Sequence, residues 1–114
     1  MGNMLYRKTL LIDLDCVLNQ YTGKYDENII PLPKIGVSEF LEKLSVDYDL
    51  KIFTTRNLLL TSKWLIENKL DKYIKDVTNV KTTAYLHIDD RCVCFCGDYN
   101  NTIEQIEKFK VYWK

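Results

Sequence analysis

Thr9-Leu10-Leu11-Ile12-Asp13-Leu14-Asp15-Cys16-Val17-Leu18 is the stretch from which the rest of the chain can be read. Thr9 to Ile12 is β-branched and aliphatic, without polar alternation. That is the pattern of a strand buried on both faces. The run ends in two aspartates one residue apart. On an extended chain, side chains at i and i+2 point the same way, so Asp13 and Asp15 can face one site. Like charges there repel, and both lose hydration near a core. A cation would offset that cost. The simpler alternative at this point is a strand running into a solvated acidic loop.

Working outward, Lys8 to Leu14 is the first expected strand, after a loose start at residues 1–6. Residues 19–36 hold Gly23, Pro31, Pro33 and Gly36 among polar residues, which makes a loop or small flap rather than a regular element. Its place after the aspartates lets it cover them. Val37, Phe40, Leu41 and Leu44 recur at helical spacing. Leu50 to Thr54 is a second strand, followed by Thr55-Arg56-Asn57. Leu58 to Lys69 is a helix capped by Asn57, with Leu58, Leu65 and either Leu60 or Trp64 inward. Val77 to Val80 is a candidate short strand. Ala84 to Ile88 is a strand ending in Asp89-Asp90-Arg91, and Val93 to Cys96 is a candidate last one. Asn101 is the expected cap of a final helix whose Ile103, Ile106, Phe109 and Lys110 share a face, with Trp113 folding back onto the core.

Strands alternating with helices of this length predict right-handed βαβ units. The expected fold is a three-layer α/β/α, Rossmann-like domain with a mainly parallel sheet, one domain over residues 1–114. The 114 residues suit a single domain, and a hydrophobic fraction of 46% suffices for its core. Formal net charge is zero, so no general basic field attracts nucleic acid. No apolar run is long enough to span a membrane or to form a signal-peptide core, and the expectation is a cytoplasmic protein with reduced cysteines.

In such sheets ligands bind at the carboxyl ends of the strands. Three ends carry polar groups: Asp13 with Asp15, Thr54 with Arg56, and Asp89 with Asp90. Carboxylates meeting there call for a divalent cation, and an all-oxygen set with retained waters suits Mg²⁺. The Thr54 hydroxyl and the Lys81 ammonium add donors for an anion. Together they suit a phosphate monoester, with one carboxylate free to attack phosphorus.

These motifs make the chain resemble the haloacid dehalogenase superfamily of phosphohydrolases. Asp13-Leu14-Asp15-Cys16-Val17 matches its first motif, DxDx(T/V). Lys51 to Thr54 matches the second, Lys81 the third, and His87-Ile88-Asp89-Asp90 the fourth, in the family's order and over most of the chain. Val17 stands where many members have threonine, and Cys16 where many have glycine. The larger Cys16 would narrow the space beside Asp13.

The resemblance implies a Mg²⁺-dependent phosphatase. Asp13 would form an aspartyl-phosphate. Asp15 would protonate the leaving oxygen and then deprotonate water. Thr54 and Lys81 would hold the phosphoryl group, with Thr55 competing with Thr54 for that role; Arg56 reads as a helix-start or ion-pair residue, with substrate contact as the alternative. Asp13, Asp15 through its backbone carbonyl, and Asp89 with Asp90 as helper would bind the metal. It also implies a small capless member, since residues 19–36 leave room only for a flap and residues 70–80 are too short for a cap. Such an open site suits small phosphorylated substrates, a macromolecule, or a partner subunit that supplies the lid. A polynucleotide 3′-phosphatase or a nucleotidase is the alternative on substrate, since Ile88-Asp89-Asp90-Arg91 also resembles polynucleotide phosphatase domains. A catalytically idle phosphate-binding module is the alternative in kind.

Cys92, Cys94 and Cys96 lack a second cluster and read as strand packing rather than a zinc site. Cys16 is the thiol whose oxidation would most affect activity. His87, the one histidine, reads as packing near the site. Tyr21 and Tyr25 read as flap stabilisers, with stacking on a base or sugar as the alternative.

Overall fold

The computed structural model describes residues 7–113; the loose start expected at residues 1–6 lies outside them. Four strands form one all-parallel sheet in the order β3-β2-β1-β4. They are β1 (Thr9–Asp13), β2 (Asp49–Phe53), β3 (Asp76–Thr78) and β4 (Leu86–Ile88). Helix α1 (Val37–Ser45) joins β1 to β2, α2 (Leu58–Glu67) leads from β2 toward β3, and α3 (Tyr99–Lys108) follows β4. The architecture is α/β, a parallel sheet flanked by helices in the Rossmann-like manner read from the sequence. No cap domain is found among the described residues.

Register explains where the core lies. Leu10 pairs with Leu50 and Leu86, and Ile12 with Ile52 and Ile88, so the pleat brings these side chains to one face. The β1-to-β2 and β2-to-β3 crossovers advance in the same direction across the sheet. Right-handed connections therefore place α1 and α2 on that same face. Leu41 of α1 and Trp64 and Leu65 of α2 accordingly join Leu10, Ile12, Leu50 and Ile52 in one buried cluster. Each such side chain contributes roughly 1.5–3 kcal/mol of hydrophobic stabilisation. Leu11, paired with Lys51 and His87, faces the other way and is outside the cluster although it too is buried. The reading of β1 as buried on both faces holds.

Several expectations are corrected. In α2 it is Trp64 that takes the inward position, with Thr61 and Leu65, whereas Leu58 stands at the surface. Residues 92–96 are irregular rather than a strand, and Cys92, Cys94 and Cys96 are exposed. Without ladder partners, their alternating pattern has no pleat to bury it. His87 is exposed as well, because β4 is an edge strand. Asp98, not Asn101, caps α3, its side chain accepting from the backbone N–H of Asn100 and Asn101. Asn101 already lies within the helix. None of α3's residues is buried, so the Ile103 and Ile106 stripe is amphipathic in sequence but uncovered in the fold. Trp113 reaches the acidic loop and the flap rather than the core.

The flap is tied by an antiparallel bridge between Asn19 and Pro33. The backbone N–H of Gln20 donates to Leu32 O at 2.9 Å, and that of Lys34 to Leu18 O at 2.9 Å. Ile30 is buried beneath it, and the Trp64 indole donates to Pro31 O at 3.0 Å.

Candidate functional site

The register that aligns the core also builds the site. Ile12 pairs with Ile88, so Asp13 and Asp89 emerge side by side at the carboxyl ends of β1 and β4. Carboxylate oxygens of Asp13, Asp89 and Asp90 all lie within 4.8 Å of one another. Burial, reinforced by the charges of Asp89 and Asp90, pushes Asp13 up from 3.8 to about 8. Asp90 is held below its ordinary value. Burial acts to raise it, but hydrogen bonds led by the Trp113 indole, whose Nε1 donates to Oδ2 at 3.1 Å, outweigh that. Three oxygen donors so close together form a ligand set for a hard divalent cation. Their mutual repulsion is what such a cation would relieve.

Asp15 is not part of this acidic group. Its carboxylate turns instead to Arg56, whose Nε donates to Oδ1 at 3.1 Å and Oδ2 at 3.0 Å, and to Asn19, whose Nδ2 donates to Oδ1 at 2.9 Å. Asn19 is fully buried and also fastens the turn, its Oδ1 accepting from the backbone N–H of Cys16 and Tyr21. Its place four residues after Asp15 carried no sequence signal beyond that of an ordinary polar loop residue.

Thr54 follows directly on the Asp13–Phe53 pair and is buried. Its backbone N–H donates to Thr78 O at 3.0 Å, and its Oγ1 accepts from the backbone N–H of Arg56 at 3.1 Å. A hydroxyl that accepts there keeps its own proton for a ligand. Thr55 is exposed and lines a polar cleft of about 410 Å³ with Tyr25, Glu27, Asn28 and Asn57. Lys81 is exposed and makes no ion pair with Asp13, Asp89 or Asp90 among the described residues. The site thus joins Asp13, Asp89 and Asp90 in one group and Asp15 with Arg56 in another, with Lys81 outside both.

Cys16 occupies the left-handed region at φ 70°, where a glycine would sit without strain. Its thiol donates to Tyr21 O at 3.2 Å, and the Tyr112 hydroxyl donates to its carbonyl. Burial, then the nearby Asp90 carboxylate, push the thiol up to about 12. A thiol so seldom ionised is a poor target for oxidation. The flap touches both groups. Tyr21 meets the Trp113 ring edge-on at 6.3 Å, and Tyr25 lies over the Arg56 guanidinium at 4.6 Å.

No protein-family model matches the chain, and no curated protein matches it. Among solved structures it is similar to a conserved protein from Bacteroides thetaiotaomicron, at 18% identity and a TM-score of 0.60, over 94% of this chain and 95% of that one. A likeness at that identity bears on the fold alone. No helix among the described residues is long and apolar enough to cross a membrane.

Proposed function

We propose that the protein is a Mg²⁺-dependent phosphatase of the haloacid dehalogenase type, hydrolysing a phosphate monoester through an aspartyl-phosphate on Asp13. The observation that carries this reading is the meeting of Asp13, Asp89 and Asp90 oxygens within 4.8 Å at the strand ends, one residue from the buried Thr54 hydroxyl. The donor set fits the ion, being all oxygen and open on its solvent side. Mg²⁺ held by Asp13, Asp89 and Asp90 would neutralise phosphoryl oxygens and favour the ionised form of Asp13.

The chain's own residues supply the rest. Asp13 attacks phosphorus, and the ester oxygen departs with a proton from Asp15. Asp15, ionised by that transfer, then takes a proton from water as the water's oxygen attacks the aspartyl-phosphate. Phosphate and free Asp13 result. Thr54 donates its hydroxyl proton to a phosphoryl oxygen. Lys81 enters this scheme only by moving inward from its exposed position.

The test is phosphate release from an aryl phosphate with and without Mg²⁺. Asp13→Asn is expected to lower kcat by at least about 10³-fold, as removal of a nucleophile does. Full activity in that variant would sink the assignment. Comparing an aryl phosphate with a 3′-phosphorylated oligonucleotide separates small from polymeric substrates, and the neutral net charge favours the small one.

A further inference from the structure

Arg56 is buried, with none of its side chain exposed, and it sits at the junction of three segments. Its guanidinium has five N–H donors. Nε holds both oxygens of Asp15. Nη1 donates to two flap carbonyls, Asp26 O at 2.8 Å and Ile29 O at 3.3 Å. Tyr25 of the flap covers the guanidinium face. Nη2 is buried with no partner among the described residues. Burying a cation and leaving one of its nitrogens unpaired is a poor way to gain stability, since an apolar side chain would fill the same space without that cost. The arrangement makes better sense as a device that fixes two things relative to each other.

We propose that Arg56 is a positioning residue that locks the orientation of the Asp15 carboxylate to the seated position of the flap, so that neither is set without the other. The proposal rests on the phosphatase reading for its catalytic consequence, and on geometry alone for its mechanical one. The rigid fork of arginine suits the task because it reaches a carboxylate on one edge and backbone carbonyls on another. Lysine offers a single point of attachment.

The experiment therefore has two arms. Amide hydrogen exchange at Gln20, Asn28 and Ile29 reports the flap without requiring turnover. Arg56→Lys and Asp15→Asn are each expected to speed that exchange by about tenfold or more, as release of a local contact does. The double variant is expected to add little to either single one, because both cut the same link. Exchange at wild-type rates in Asp15→Asn overturns the proposal, and so does a double variant whose effect is the full product of the two. If Arg56→Lys does not fold, Asp15→Asn decides alone. In the second arm, Arg56→Lys is expected to lower kcat on an aryl phosphate by about 10²-fold with KM little changed, the mark of a misplaced catalytic group. A kcat at the wild-type level in a folded Arg56→Lys overturns it. Absence of phosphatase activity in the wild type would remove the proposed reaction and leave the exchange arm to judge the coupling.

Discussion

Residues 9–70 and residues 71–113 are built to different standards. Every buried residue among those described lies in the first region, from Leu10 to Leu70. From Asp71 to Trp113 none is buried, although the segment holds β3, β4 and α3. The candidate site straddles the boundary. Asp13, Asp15, Thr54 and Arg56 stand on strands and turns anchored in the core. Asp89 and Asp90 follow an edge strand of three residues, and Trp113 reaches in from the far end. One half of the site is preset by packing. The other is held by a short ladder, a tryptophan and repelling charges, and so sits at the low end of local stability.

That contrast can be tested from its strongest consequence downward. Ile12→Ala removes a fully buried side chain from the centre of the sheet and is expected to cost about 2–5 kcal/mol by denaturant unfolding. A cost near zero would mean that the first region is not the core. Next, Mg²⁺ at about 100 times its Kd is expected to stabilise the protein by about 2.7 kcal/mol. Amides at 86–90 should gain more exchange protection than those of β1. Equal protection would dissolve the distinction between a preset half and a loosely held one.

The pH dependence follows from Asp13. Its folded value of about 8 lies above the ordinary 3.8, so the folded state binds its proton more tightly. The stability this group contributes is fully present below pH 4 and is lost as pH rises through about 8. Without divalent cations, Tm is therefore expected to fall as pH rises across that window. Asp13→Asn should flatten the fall, and an unchanged slope would show that Asp13 does not hold its proton more tightly in the folded state. Smaller still is Gly23→Ala. Gly23 has φ +105°, and a Cβ there would meet the Trp113 ring at 3.3 Å. A loss of about 1 kcal/mol is expected, read from melting and from Trp113 fluorescence. At the bottom of the scale, Ile106→Ala in α3 should move stability by less than about 0.5 kcal/mol, because Ile106 is 59% exposed.

The elements legible in the sequence are those whose side chains have one destination. β1 reads correctly because both its faces are buried, and α1 because Val37 and Leu41 of its stripe are buried in the core, although Phe40 of the same stripe is exposed. Asn57 caps α2 as read, its Oδ1 accepting from Leu60 N–H at 2.9 Å. The failures share another cause. Cys92 to Cys96 and the Ile103 and Ile106 stripe carry correct local periodicity, but periodicity tells which residues could be buried together and not whether anything arrives to bury them. Leu58 stands at the surface because the inward face is set by Thr61, Trp64 and Leu65, and an apolar pattern omits Thr61, which is fully buried and donates its hydroxyl to Asn57 O.

The sequence by itself determined the alternation of strands and helices and the placing of Asp13, Thr54 and Asp89 at strand ends, because strand burial and helix capping are local and leave a periodic trace. Only the tertiary structure decided the partners. Strand order and register brought Asp13 against Asp89 and Asp90 and set its acidity. A residue 41 positions away turned Asp15 out of that group and onto Arg56. Charge pairs across such separations are chosen by how strands stack, and nothing in the local sequence of either partner records the choice.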